Sequence, residues 1–177
     1  MKLNYLTTNK LKFEIAKRFF STTNEYELVQ LTHHVPEIQD TSCEEIARQS
    51  AIHAAQQIGE PCVVMDAGFF IPALNGFPGP FVKYVNEWIS EERLLRMLDA
   101  SDDRTAYFTD ALAVGFPDGT AKVFSHNTMG RLANKGEYQP SKWPANSLFI
   151  PAGHTTSLGS LSNEAQTDFC ILRIRTG

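Results

Sequence analysis

Apolar positions along this chain recur with two different spacings, and the changes of spacing are punctuated by Gly, Pro, Asn and Ser. Residues 3–7 form a short apolar run that reads as a strand. The polar cluster Thr7-Thr8-Asn9-Lys10 then leads into Leu11, Ile15, Ala16, Phe19 and Phe20, which fall at helical spacing. Residues 26–32 read as a second strand, followed by His33-His34-Val35-Pro36-Glu37-Ile38-Gln39, an extended polar link in which Pro36 keeps Val35 out of helical geometry. Ser42-x-x-Glu45 is a capping box. Behind it Ala47, Ala51, Ala54, Ala55 and Ile58 make the buried stripe of a helix that ends at Gly59. So much alanine on one face predicts a helix lying close against a sheet.

The next stretch organises the chain. Cys62-Val63-Val64 reads as a buried strand, and Gly68, Gly76, Pro78, Gly79 and Pro80 predict irregular structure after it, which places Asp66 where strand becomes loop. Residues 84–98 carry a broken helical pattern and predict two short helices. Residues 105–114 and 120–124 are β-rich and flank Gly115-Phe116-Pro117-Asp118-Gly119, whose Asp-Gly pair predicts a hairpin that residues 125–132 continue. Residues 133–146 read as loop, with Trp143 inside it, and 147–151 as a brief apolar piece. No repeat or low-complexity tract is present.

Composition narrows the class. With 177 residues, 42% of them hydrophobic and 20% charged, the chain has enough apolar surface for one domain spanning residues 1–177 without disulfides. A net charge of −4 argues against a surface for nucleic acid polymers, which needs clustered Lys and Arg. Three cysteines without C-x-x-C spacing indicate neither a disulfide framework nor a zinc site and fit a reducing cytoplasm. No run reaches the roughly 18 apolar residues of a membrane span, and no signal-peptide core opens the chain, so a soluble cytoplasmic protein is expected.

Several residues carry candidate chemistry. A helix entered through Thr7, Thr8 and Asn9, with Lys10 and Lys12 beside it, offers backbone N–H groups, hydroxyls and positive charge to an anion such as phosphate; an ordinary capped helix with solvated lysines would look the same. Adjacent His33 and His34 point to opposite sides of an extended chain and read as structural. Glu37, alone in a stiff segment, suits a hard cation. Asp66 reads either as a site carboxylate at a strand end or as an Asx-turn residue. Trp143 reads as a base-stacking platform or a plug at a core edge.

Taken together these segments resemble the inosine triphosphate pyrophosphatase family. Thr7-Thr8-Asn9-Lys10-Leu11-Lys12 resembles its T-G-N-x-x-K phosphate loop, with Thr8 in place of the glycine. Val35-Pro36-Glu37-Ile38-Gln39 resembles L-P-E-[IY]-Q, which supplies a magnesium-binding glutamate. Asp66-Ala67-Gly68-Phe69, followed by Ala73-Leu74-Asn75-Gly76-Phe77-Pro78-Gly79-Pro80, resembles D-D-S-G-L-x-x-x-A-L-N-G-x-P-G-x. The resemblance implies an α/β fold, with an elongated mixed β-sheet flanked by helices and two lobes around a central cleft. It further implies a homodimer and Mg-dependent hydrolysis of a nucleoside triphosphate to the monophosphate and pyrophosphate. By the same resemblance Asp66 and Lys12 are catalytic, and Glu37 and Asp66 hold the metal. Thr7, Thr8, Asn9, Lys10, Lys12, Ala67, Gly68, Trp143 and Asn146 bind substrate.

Departures from the family pattern qualify these roles. Met65 takes the first place of the usual Asp-Asp pair, and Ser50 stands where a phosphate-binding lysine is expected. Trp143-Pro144-Ala145-Asn146-Ser147 aligns with F-G-[YW]-D-P, so Asn146 replaces an aspartate, and residues 161–168 do not match K-N-x-x-S-H-R. An altered base preference is expected, because an amide both donates and accepts where a carboxylate only accepts. The alternative is a catalytically degenerate relative that binds a nucleotide or a protein partner.

Overall fold

The computed structural model describes residues 2–20, 27–162 and 164–169, with only the backbone of Phe19. Tyr26, the Phe19 side chain, Cys170 and the apolar run that ends the chain therefore lie outside the described residues. The described part is mixed α/β, as expected. In chain order the elements are β1 (Lys2–Leu6), α1 (Lys10–Phe20), β2 (Glu27–Leu31), α2 (Cys43–Ile58), β3 (Cys62–Phe70), β4 (Pro78–Gly79), α3 (Val82–Trp88), α4 (Glu91–Arg96), β5 (Thr105–Gly115), β6 (Ala121–Leu132), α5 (Pro144–Leu148) and β7 (Phe149–Pro151). The strands make one seven-stranded mixed sheet in the order β2-β1-β3-β5-β6-β7, with β4 paired to β3 off that path. β1 runs parallel to β2 and β3, whereas β3–β4 and β6–β7 are antiparallel.

The chain divides into two compact units, one holding described residues up to Asp66 together with Asp110–His126, the other holding Ala67–Thr109 and the described part of Asn127–Phe169. In the first unit α1 covers a cluster built on Tyr5, Ala16 and Val63, against which Phe13, Met65, Leu112 and Val114 also pack. α2 buries Cys43, Ile46, Ala47, Ser50, Ala51, Ala54 and Ala55. Its closeness to the sheet is set at Gly115, where an added Cβ would stand 2.2 Å from the backbone carbonyl of Ala51.

The caps of α2 form largely as its sequence predicts. Ser42 Oγ accepts from Glu45 N at 3.1 Å, and Gly59 ends the helix at φ 70°, a left-handed conformation open to glycine without cost. Only half of the capping box closes, however. Glu45 turns its carboxylate to Arg48 and Gln49, while Ser42 N donates to Asp40 Oδ1 at 2.8 Å. Replacing Ser42 by Ala removes one acceptor for the helix N-terminus and is expected to cost about 1 kcal/mol. Thermal denaturation should register this as a fall of about 3 °C in Tm.

The second unit is an aromatic core. Phe69, Phe108 and Phe149 meet with ring centroids 4.6, 5.0 and 5.7 Å apart, two of the three pairs edge to face, and Leu94, Leu98, Leu132 and Leu148 close round them. This core explains one departure from expectation. β3 does not break at Asp66; it continues through Gly68 to Phe70, because Phe69 is fully buried and pairs with Gly79 of β4, and Phe70 pairs with Pro78. Asp66 is therefore a mid-strand residue rather than a loop residue. Similarly, the stretch read as loop up to residue 146 turns helical at Pro144, with Trp143 as the residue before the first turn. The two short helices and the hairpin are present as expected, the latter closed by Phe116 N to Thr120 O at 2.9 Å and by Asp118 Oδ1 accepting from Thr120 N.

Candidate active site

In the first unit the chain leaves β1 at Leu6 and enters α1 through a turn fastened by its own side chains. Thr7 Oγ1 accepts from Asn9 N at 3.1 Å, and Thr7 O accepts from Gln30 Nε2 at 2.9 Å. Asn9 is the N-cap: its Oδ1 accepts from Leu11 N at 2.9 Å and Lys12 N at 3.2 Å. Of the two readings of this turn, these bonds fit the capped helix. Two of the N–H groups at the helix start are taken by Asn9 itself, and Thr8, Asn9 and Lys10 are exposed beside them.

Lys12 is half-buried, and its Nζ donates to Met65 O at 3.1 Å. That bond ties the first helix to Met65, 53 residues away in sequence and the residue that precedes Asp66 in β3. The stem of Lys12 shares a cavity of ≈ 10 Å³ with Tyr5, Ile15, Ala16, Met65 and Leu112, so Met65 spends its side chain on packing under α1. Asp66 is itself half-buried, and its charge acts on the Cys43 thiol at the start of α2. Burial, then the nearby Asp66 carboxylate, pushes the Cys43 thiol well above its usual range. Asp110 on β5 lends its charge to the same neighbourhood and, after burial, helps push the Tyr5 phenol up.

Glu37 is exposed on the segment anchored by buried Val35. Among the described residues no three His, Cys, Asp or Glu side chains converge as a metal cage. The acids present offer hard oxygens, which fit a cation of the magnesium type that binds one or two carboxylates and completes its shell with water and phosphate. Ser50 is only 4% exposed and supplies no cation. Lys83 and Lys142 each stand over an aromatic ring, Tyr84 at 5.9 Å and Trp143 at 4.9 Å.

The second unit carries the other candidate residues. Ala67 is half-buried and Gly68 buried, both within β3. Trp143 is 40% exposed at the start of α5, and Asn146 lies half-buried within that helix. α5 is held by Asn86 Oδ1, which accepts from Ala145 N at 2.9 Å, and by the fully buried Ser147, whose Oγ accepts from Ser141 N at 2.9 Å. The short helix thus presents Trp143 and Asn146 from a fixed support, beside an open groove of ≈ 390 Å³ lined by Trp88, Arg93, Ser141 and Lys142.

A family model described as the Ham1 family matches residues 3–170. The chain belongs to the Ham1 family. Two relatives are similar over most of the chain, a dITP/XTP pyrophosphatase of Methanopyrus kandleri, 36% identical over 171 residues (93% of this chain and 86% of that protein), and one of Methanothermobacter marburgensis, 36% identical over 169 residues (96% and 89%). Among solved structures, the Mycobacterium abscessus dITP/XTP pyrophosphatase superposes with a TM-score of 0.79 at 24% identity, covering 99% of this chain and 96% of its own. The Staphylococcus aureus Ham1 protein gives 0.76 at 23% identity, covering 99% and 98%. These structures show that the fold is the Ham1 fold. The resemblance drawn from the phosphate loop, Glu37 and the Asp66 segment is therefore correct at the level of family.

Within this Ham1 chain the structure brings Lys12 to the carbonyl of Met65, the residue before Asp66, and places Trp143 and Asn146 at and within one short helix. Cys43 and Asp110 escaped the sequence reading. The only signal for Cys43 was its place one residue after the capping serine, on the face that continues the alanine stripe. For Asp110 it was an acid interrupting an otherwise β-rich run.

Proposed function

We propose that this chain is a magnesium-dependent nucleoside triphosphate pyrophosphatase that hydrolyses the bond between the α and β phosphates, releasing a nucleoside monophosphate and pyrophosphate. The observation that supports the reading is the Lys12 Nζ to Met65 O bond, which fastens the lysine of the first helix to the residue that precedes Asp66 in β3. In this reading Asp66 accepts the proton of the attacking water, and Lys12 and Asn9 Nδ2 neutralise phosphate oxygens. Glu37 and Asp66 would hold the metal, which supplies charge neutralisation for the polyphosphate. The names of the two archaeal relatives support a non-standard purine as substrate.

Asn146 supports a relaxed base preference. A carboxylate there would only accept, and a base that left buried groups unpaired would lose about 1 to 3 kcal/mol for each. An amide removes much of that penalty. The test is phosphate release with an added inorganic pyrophosphatase, over ATP, GTP, CTP, UTP, ITP, dITP and XTP, with and without Mg²⁺. Turnover that needs Mg²⁺ and spans several bases is expected, with Asn146→Asp sharpening the preference for ITP and XTP by about 10-fold. A lead of about a hundredfold for ITP and XTP in the wild type would overturn the relaxed preference. Calorimetric nucleotide binding without turnover would instead favour the degenerate alternative.

The same reading places the protein in the cytoplasm as a homodimer. No described helix is long and apolar enough to cross a membrane. Phe77, Phe81 and Trp88 are 36%, 38% and 69% exposed, an apolar set that a second copy would cover, and static light scattering at twice the chain mass is the expected result.

A further inference from the structure

Trp143 stands just before α5, and the backbone around it is fastened by side chains. Pro144 has no N–H to give, and the next one, on Ala145, goes to Asn86 Oδ1 at 2.9 Å. Trp143 itself is gripped by two serines, Ser141 before it and Ser147 after it. Trp143 N donates to Ser141 Oγ at 3.2 Å. Trp143 O lies 3.2 Å from Ser141 Oγ and 3.3 Å from Ser147 Oγ, and it accepts from Ser147 N at 3.0 Å. The serines are also joined to each other, Ser141 N donating to Ser147 Oγ at 2.9 Å and the two hydroxyl oxygens standing 2.8 Å apart.

Two hydroxyl protons serve this knot. One occupies the short gap between the oxygens and the other is left for Trp143 O, so both the N–H and the C=O of Trp143 are held whichever serine donates which. Ser147 is fully buried, and an added Cβ at Gly159 would stand 2.8 Å from Ser147 Cα and 3.1 Å from Ser141 Oγ, so the backbone there covers the pair. The indole beyond is 40% exposed, with Lys142 Nζ 4.9 Å from its centroid. An aromatic surface ordered before a ligand arrives spares binding the cost of ordering it.

We propose that Ser141 and Ser147 are positioning residues for Trp143, holding its ring as the surface on which a nucleotide base stacks. The role rests on the reading of Trp143 as the base platform of the proposed nucleotide site. In Ser141→Ala the KM for the best nucleotide of the panel is expected to rise about 5-fold with kcat within about twofold, the lower end of what losing a base–aromatic stack costs. Ser141→Thr, which keeps the hydroxyl, should restore it. Ser147→Ala should act in the same way, and half-buried Ser141 carries the test if the fully buried site does not tolerate the change. A double-mutant cycle shows whether the effect passes through the ring: in a Trp143→Ala chain, removing the Ser141 hydroxyl should change KM by less than about twofold. An unmoved KM in Ser141→Ala, or the same rise with and without the indole, overturns the proposal.

A second readout does not need turnover. Trp88→Phe leaves Trp143 as the only tryptophan of the chain, and inosine monophosphate, which carries a base and has no anhydride bond to hydrolyse, should quench its fluorescence. The concentration for half-quenching should rise about 5-fold when Ser141→Ala is added. Absence of quenching overturns the platform and the proposal with it. Quenching that weakens as expected, in a protein whose wild-type chain turns over no nucleotide, overturns the pyrophosphatase reading and leaves the serine pair as part of a binding site.

Discussion

Asp66→Asn is expected to lower kcat by about 10³-fold, within the range that removal of a general base commonly costs, while Tm stays within about 3 °C of the wild type. The two effects separate because of where the residue sits. Asp66 is a half-buried residue in the middle of β3, and Asn is its isostere, so strand pairing and the packing of Met65 and Ala67 on either side are undisturbed. What is lost is the capacity to take a proton and the negative charge. Steady-state kinetics and thermal melts on the same preparation check both halves, and undiminished turnover in the variant would remove Asp66 from the mechanism.

Gly115→Ala is expected to produce the largest loss of stability. The added methyl would stand 2.2 Å from both C and O of Ala51 and 2.5 Å from Ile52 N, all of them backbone atoms of a long helix that no rotamer change can move aside. Overpacking of this kind costs about 3 kcal/mol or more when the obstacle cannot yield. In a chain of this size that is a fall of about 6 to 12 °C in Tm. Gly136→Ala is the control: its φ of 90° disfavours a side chain, but nothing lies within 4 Å of the added atom. The loss there should be limited to the cost of the left-handed conformation, about 1 to 2 kcal/mol. If the two variants melt together, close approach is not what holds α2 at its distance.

Elements whose causes lie within a few residues were legible in the sequence. Ser42 caps α2 and Gly59 ends it; Asp118 and Gly119 turn the hairpin; and the break between α3 and α4 falls at Ile89 and Ser90. In each case a side chain or a left-handed φ satisfies backbone groups one to four positions away, so spacing along the chain carries the whole signal. The family was legible for a related reason, because its phosphate loop, its Pro-Glu segment and its Asp-x-Gly segment are local strings.

The places where sequence reasoning went astray depend on partners far along the chain. Gly68 looks like a strand breaker until Phe69 is seen buried against Phe108 and Phe149, a gain that outweighs the weak strand preference of one glycine. The amides of Leu11 and Lys12 look open to an anion until the Asn9 oxygen is found on them. By itself, then, the sequence determined the kinds and limits of most elements, the family, and which acid and which lysine to watch. Only the tertiary structure decided that Lys12 reaches the Met65 carbonyl and that the charges of Asp66 and Asp110 both act on Cys43. Those meetings are made by strand order and by the depth at which α2 settles on its glycine, and neither leaves a periodic trace in the chain.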